Sequence, residues 1–513
     1  MTHSFILLAL ILTPLLGVIA LQFIPKDNYT LGKNVGVLFS GIPFLFSIYI
    51  IFDYFQDGGL TGYSITKKWI TFGNLSESPG HTQTLYKVGF DLGLNGFSLL
   101  LVFLTALLCM LSAYASIKQV NYAWRLYFSL FLILETAMLG VFSAQDIFLF
   151  FLFFEVTLIT MFILVGKWGY EERAKAAYRF LVYNALGSLI MFSVFVYIFV
   201  NTGTSNIGTL TELIALNGRL APEGMGFSDE TRSVLFLLLL LAFAVKFPIV
   251  PFHTWLINVH AQALPAIVML HAGILIKMGA YGLIIFGLGF FPDQAQNYSF
   301  LIAILGLVNL IYGAMLAMIE DEIKKVLAYS TVSHMGIVLL GIAALNEFGI
   351  QGAMFQVISH GLIAAIMFYL VGKLYERSET TVLRQLGGVA KDMPILSGFL
   401  LAGGMASLGL PGMSGFISEA MAFVGLFEKE PVITVIAVLG IIIAAVYVLR
   451  AVLAITFGKG DIMKERKWKD LSFTEALPAI ILLSAILFIG ILPNVFAETL
   501  RPAIELILKG IGG

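Results

Sequence analysis

The sequence predicts an all-α polytopic membrane protein of about fourteen transmembrane helices, with two inverted five-helix repeats and two broken helices. Three observations predict it. Of the 513 residues, 59% are hydrophobic and only 12% charged, with mean hydropathy +0.95; soluble domains carry about 25% charged residues. Apolar runs of about 20 residues, the length that crosses a bilayer core, recur along the whole chain. Two of these runs are interrupted at corresponding places, at Lys246-Phe-Pro-Ile-Val-Pro251 and at Leu408-Gly-Leu-Pro-Gly-Met-Ser-Gly415. Paired, interrupted helices point to an ion site between two halves of a transporter-like fold.

The spans fall near 4–24, 33–55, 92–115, 124–143, 146–167, 174–200, 232–257, 263–290, 299–320, 323–345, 350–375, 394–427, 431–458 and 474–498. The first has no basic leader and no clear cleavage site, so it reads as a membrane helix and not a signal peptide. The breaks lie in spans 7 and 12, five spans apart. An odd repeat count turns its second copy upside down, so spans 4–8 and 9–13 read as an inverted pair. The chain divides accordingly into N-terminal helices (1–120), an ion-translocating core (121–460) and a C-terminal helix with tail (461–513).

Loop charges set the orientation. Alternate loops and their flanks, beginning with the first, hold 20 of the 30 Lys and Arg residues, among them Lys26, Lys118, Lys167, Arg173, Lys324, Lys373, Lys464, Arg466 and Lys467. The opposite side, with both termini, holds eight: Lys67, Lys68, Lys87, Arg219, Arg232, Lys429, Arg501 and Lys509. This bias places the first set in the cytoplasm and both termini outside, in a cell inner or plasma membrane. The longest outside loops, 56–91 and 202–231, read as surface turns from their Gly, Thr, Ser and Asn content. The lipid bilayer is therefore an expected partner. A net charge of −1 makes nucleic acid an unnatural partner, and the lone Cys109 excludes disulfides, Cys-held zinc and iron–sulfur clusters. His253 and His260 lack the i, i+4 spacing of a helical metal site, and no phosphate-binding glycine loop is present, so neither metal nor cofactor is expected.

Two cations, Lys246 and Lys277, remain inside the membrane. A charge at mid-bilayer costs about 3 kcal/mol or more, so its default reading is functional. Lys246 lies about ten residues, or roughly 15 Å, from either end of its span, too far for its stem to reach water. Glu155 (span 5), Lys277 (span 8), His334 (span 10), His360 (span 11) and Glu419 (span 12) lie at similar depth. Groups at one level on neighbouring helices make a polar line along the membrane plane, suited to relaying protons. A buried Glu–Lys pair can be balanced so that a neighbouring charge decides which partner holds the proton, and histidine can bridge such sites. Bland readings stand beside these: Glu155 and Lys246 as a static ion pair, the histidines as hydrogen-bonded core residues, Glu419 as a cap on free backbone N–H groups. Glu135, on span 4, has no assigned partner. His253, His260 and His271 are expected near the cytoplasmic side of spans 7 and 8, where Asn258, His260 and Gln262 line a water entrance or form a polar loop.

The stretch AFAVKFPIVPFHTWLINVHAQALPAIVMLHAGILIKMGAYGL resembles the signature of the antiporter-like proton-conducting subunits of respiratory complex I, which are related to Mrp-type antiporter subunits. FSAQDIFLFFLFFEVTLITMFILVGKWG, IKKVLAYSTVSHMGIVLLG, FQVISHGLIAAIMFYLVGKLYER and SLGLPGMSGFISE match in the same order, covering residues 90 to 460. The resemblance implies that Glu155 and Lys246 are the family's Glu–Lys pair, Lys277 its central lysine, His334 and His360 the linking histidines and Glu419 the terminal acid. Glutamate in the second break is the mark of M-type members; L-type, N-type and Mrp subunits generally carry lysine there. L-type and N-type subunits are then the expected partners and protons the substrate, with no redox centre in this chain. The competing functions are an Mrp-type cation/proton antiporter, a membrane-bound hydrogenase subunit and a stand-alone permease. The chain departs from the family at Ile257, Gln262, Leu264 and Ile284-Ile285, near the expected cytoplasmic entrance.

Overall fold

Hydropathy dictates the frame. The computed structural model describes residues 2–57, 59–60, 62–73, 86–216, 227–460 and 468–511. Twelve helices there are long and apolar enough to cross a membrane. The elements run α1 (Thr2–Phe23), α2 (Tyr29–Asp57), β1 (Ser64–Phe72), β2 (Tyr86–Gly93), α3 (Gly96–Gln119), α4 (Trp124–Ser143), α5 (Ile147–Trp168), α6 (Arg173–Thr202), α7 (Ile207–Leu216), α8 (Asp229–Lys246), α9 (Thr254–Gln262), α10 (Pro265–Leu270), α11 (Lys277–Gly282), α12 (Pro292–Asn297), α13 (Ser299–Ile319), α14 (Ile323–Ala344), α15 (Glu347–Ser378), α16 (Pro394–Ser407), α17 (Ser414–Lys429), α18 (Pro431–Phe457), α19 (Phe473–Ile491) and α20 (Pro493–Ile511). Helices α10 and α11 and two π turns, His271–Leu275 and Leu283–Leu288, form one continuous span. Spans 7 and 12 are broken as expected, into α8 and α9 and into α16 and α17. Large apolar residues such as Leu189, Val432 and Phe488 remain exposed on the outer helices, the face that lipid would cover. The α10–α11 span and the central stretch of α15 are buried and form the middle of the molecule.

A backbone staple recurs in the two halves. The N–H of Ile147 donates to Ser205 O and that of Ile207 to Gln145 O; the N–H of Ile323 donates to Thr381 O and that of Leu383 to Asp321 O. The four positions recur at one constant spacing along the chain. Matching helices have nearly equal lengths: 20 and 21 residues for α4 and α13, 22 and 22 for α5 and α14, 30 and 32 for α6 and α15.

Three elements differ from the sequence reading. Loop 56–91 contains the antiparallel hairpin β1–β2, pairing Ser64 with Gly93 through Phe72 with Tyr86. Its Ile, Trp, Thr, Val and Phe residues suit a strand, and Asp91 anchors it by accepting from Asn206 Nδ2 at 2.8 Å. Loop 202–231 contains α7. The chain continues past the last span into α20, whose Leu500, Ile504 and Ile507 pack inward while Glu498, Arg501, Glu505 and Lys509 face out. Pro493 starts this helix at its first position, where a missing N–H costs nothing. Asp146 caps α5 by accepting from the N–H of Phe148 and Leu149 and from Gly89, and burial pushes its carboxyl above the usual range. Of the loop cations used for orientation, Arg219, Lys464, Arg466 and Lys467 lie outside the described residues.

The first break is held open by Asn309 of α13, fully buried. Its Oδ1 accepts from Val250 N–H at 2.7 Å and its Nδ2 donates to Pro248 O at 3.2 Å. Buried backbone groups left unpaired cost about 1–3 kcal/mol each. Asn309→Ala is therefore expected to destabilise the chain by about 2 kcal/mol, seen as a lower thermal denaturation midpoint in mild detergent, whereas Ser193→Ala on the exposed face of α6 leaves it unchanged.

Candidate functional site: a buried ionisable line

Lys246 is the last residue of α8, so its side chain projects where the helix ends and the prolines begin. It is 3% exposed, and Nζ has no hydrogen-bond partner among the described residues. Instead Nζ sits 4.6 Å from the Phe154 ring centre and 5.7 Å from that of Phe180. Cation–π contact supplies roughly 0.5–2 kcal/mol each, less than a desolvated ammonium loses. Glu155 follows Phe154 on α5, half-buried, with Oε1 also unpartnered. The two are thus neighbours without a direct hydrogen bond, and the fixed ion pair considered from sequence is not formed.

Lys277 is fully buried and bonded. The π turn explains how. In a regular helix Ile276 N–H would donate to Ala272 O; here it donates to His271 O at 3.3 Å. The freed Ala272 carbonyl accepts from Lys277 Nζ at 2.5 Å. Wide turns of this kind are frequent at functional sites. Lys277 Nζ also lies 2.8 Å from His360 Nδ1 on α15.

From His360 the line continues into α14. The His360 and His334 rings are 5.3 Å apart. His334 Nδ1 lies 2.8 Å from Ser330 O and Nε2 3.1 Å from Ser407 O, the last carbonyl of α16 at the second break. Each ring nitrogen thus faces a carbonyl, which accepts from whichever nitrogen carries the hydrogen. Glu419 Oε1 stands 3.7 Å from His334 Nε2. Glu419 itself is 7% exposed and is pressed by the break: a Cβ on Gly409, at φ +71°, would come within 2.7 Å of Glu419 Oε2. Glycine is favoured there by its backbone angle, and the Glu419 carboxylate lies close beside it.

The structure thus brings Lys277, His360, His334 and Glu419 into one connected run and sets Glu155 and Lys246 apart as a second group. It also places the three other histidines in the interior. His260 and His271 are fully buried and bonded to each other, Nε2 to Nδ1 at 2.9 Å; His253 is buried against the Tyr312 ring. All three are buried around the break, and Asn258 on α9 keeps part of its surface exposed. Gln262 ties down the α5–α6 turn, its carbonyl accepting from Tyr170 N–H at 2.7 Å. Glu135 is fully buried, with the Ser40 hydroxyl its polar neighbour and neither oxygen reaching hydrogen-bond geometry among the described residues. Sequence reasoning missed Asn309, Ser330 and Ser407; the single polar residue Asn309 in an otherwise apolar span was the available signal.

The fold and this line define a multi-helix membrane protein built to hold titratable groups in its interior. The chain belongs to the family described as NADH:quinone oxidoreductase/Mrp antiporter, transmembrane, whose model matches residues 144–444. It is 36% identical over 491 residues to NADH-ubiquinone oxidoreductase chain 4 of Chondrus crispus, covering 96% of this chain and 95% of that one. It is 33% identical over 476 residues to NADH-quinone oxidoreductase subunit M of Rickettsia felis, covering 92% of each. A chain of respiratory complex I from Thermus thermophilus superposes with TM-score 0.85 at 28% identity, covering 99% of this chain and 100% of that one. A chain of the Mrp complex from Dietzia sp. DQ12-45-1b shares the fold, with TM-score 0.82 at 20% identity, covering 100% of both.

Arginine holds its charge at any accessible pH, whereas lysine can release a proton. If Lys277 relays protons and does not merely supply charge, Lys277→Arg loses proton transport nearly as fully as Lys277→Ala. Vesicle acidification by the assembled complex checks this, and arginine working as well as lysine would refute relay at this position.

Proposed function

We propose that this chain is the M-type proton-translocating subunit of an NADH:quinone oxidoreductase, in which quinone reduction elsewhere in the complex drives protons through the midplane line. The observation that carries it is the continuous run Lys277–His360–His334–Glu419, which joins the wholly buried middle of the molecule to the second helix break. The full-length likeness to chain 4 and subunit M relatives supports the assignment, as does a glutamate at position 419. The 121–460 segment is the working core. Its spans 4–8 and 9–13 act as an inverted repeat, a reading supported by the recurring backbone staple and the matched helix lengths. The partners are L-type and N-type antiporter-like subunits, and the chain lies in an inner or plasma membrane with both termini outside.

In this reading Lys246 and Glu155 form the input. A charge arriving beside Glu155 changes how well the unbonded Lys246 ammonium is stabilised, because burial leaves it little else than two aromatic faces. Lys246 then yields or takes a proton, and Lys277 answers. Its proton passes to His360 Nδ1, then by way of His334 to Glu419 at the far end. A charge moved about 8 Å at an effective dielectric of about 20 changes a neighbour's energy by about 2 kcal/mol, a shift of roughly thirtyfold in a proton equilibrium. That is enough to drive the sequence without large movement of the helices.

Lys246→Ala and Glu155→Gln are expected to remove most proton transport by this subunit while leaving the complex assembled. Proteoliposomes holding the whole complex, driven by NADH and a short-chain quinone, give protons moved per NADH oxidised. An unchanged ratio in both variants would refute the input role, and isolation of the wild-type chain as an active monomer would refute the subunit assignment.

A further inference from the structure

We propose that the seam between the ends of α13 and α18 binds one anionic phospholipid, its phosphate in a basic cleft and its acyl chains on the apolar surface beside it. The leaflet, the cytoplasmic one, rests on the orientation proposed above. A cavity of about 290 Å³ opens where the two helices end. Arg384, Arg450 and Lys459 line it against a single carboxylate, Asp321. Asp321 is already matched, its Oδ2 lying 2.7 Å from Arg384 Nε. The neighbouring acids are engaged as well: Glu320 Oε1 accepts from Asp321 N–H at 3.2 Å, and Glu322 lies 3.0 Å from Lys325 Nζ. The lining is therefore positive at the level where a bilayer places its phosphates, and basic pockets between membrane helices on the cytoplasmic side suit anionic headgroups.

The backbone places these cations. Leu383 N–H donates to Asp321 O, which ties the segment carrying Arg384 to the turn between α13 and α14. That segment meets the one carrying Lys459 through two glycines. A Cβ on Gly387 would lie 2.3 Å from Gly460 N, and one on Gly460 would lie 2.5 Å from Gly387 N, so neither position has room for a larger residue. Arg450 comes from the α18 wall, where its Nη2 donates to Ala317 O and Glu320 O at the end of α13. Its Nε is buried with no partner among the described residues, so the two carbonyls leave the guanidinium incompletely bonded. A planar guanidinium matches phosphate oxygens in pairs, and a lysine adds a point charge.

The surface beside the cleft separates a lipid from a bare anion or an acidic peptide. Met315 and Ile319 in the last turns of α13, and Leu453 and Phe457 in the last turns of α18, are exposed on spans that cross the membrane. A free phosphate or an acidic loop leaves this apolar face bare; a phospholipid meets the charge and the apolar face together. The bound molecule bridges the ends of α13 and α18. Since α13 also carries Asn309, which repairs the first helix break, the lipid steadies the helix on which that repair depends.

The test uses the protein as purified from its membrane in mild detergent, with the subunits that accompany it. After identical washing, bound phospholipid is extracted and counted by mass spectrometry. Wild type is expected to retain one more anionic phospholipid per chain than the double variant Arg384→Gln/Lys459→Gln, whose two side chains are exposed and so dispensable for folding. Equal retention would overturn the site. Stripped protein is then offered phosphatidylglycerol, phosphatidylcholine or inorganic phosphate, and its thermal denaturation midpoint is read. Phosphatidylglycerol is expected to raise the midpoint of wild type and not of the variant, and to do so less at high salt. An equal rise with inorganic phosphate would show a bare anion site, and an equal rise with phosphatidylcholine a surface that does not read charge; either result refutes the proposal. Where the double variant does not fold, Lys459→Gln alone decides by the same count.

Discussion

Within a bilayer no water stands ready to pair with a freed backbone group, so every helix break must be repaired by the protein around it. In this chain the repairs and the ionisable groups meet at the same points. The first break leaves Val245 O, Pro248 O and Val250 N–H, which are met by Trp255 Nε1 and by Asn309. The wide turn at His271–Leu275 frees Ala272 O, which is met by Lys277. The second break leaves Ser407 O, which faces His334. Breaking a helix at mid-membrane thus makes the polar pockets in which lysine and histidine become tolerable, and those side chains in turn make the breaks tolerable. The distribution of charge through the interior follows from this one constraint.

The spans were legible because hydropathy over some 20 residues is a strong signal, and the buried charges because each contradicts its surroundings. Their levels were legible too, since depth follows from distance along a helix. Contacts were not. Glu155 and Lys246 read as a pair because opposite charges at one depth invite pairing, yet Phe154 and Phe180 take the ammonium. His260 and His271 are joined across the turn between α9 and α10, a spacing that no helical periodicity marks. The hairpin was hidden because Lys67 and Lys68 give an exposed strand the composition of a loop, and α20 because its charged face masks a buried apolar one.

The two ends of the line are unlike, and this difference carries meaning. At Lys246 the cation meets two ring faces and the nearby charge of Glu155, with no hydrogen bond among the described residues. At Glu419 the acid lies beside a histidine whose ring nitrogens face two carbonyls. In the proposed relay the first group is the one a nearby charge would tip, and the second the one that would receive the proton. Between them, Lys277 is bonded on one side to a carbonyl that cannot take its proton and on the other to an imidazole that can. In the proposed relay its proton would pass toward His360, which can accept it, and not toward the Ala272 carbonyl, which cannot.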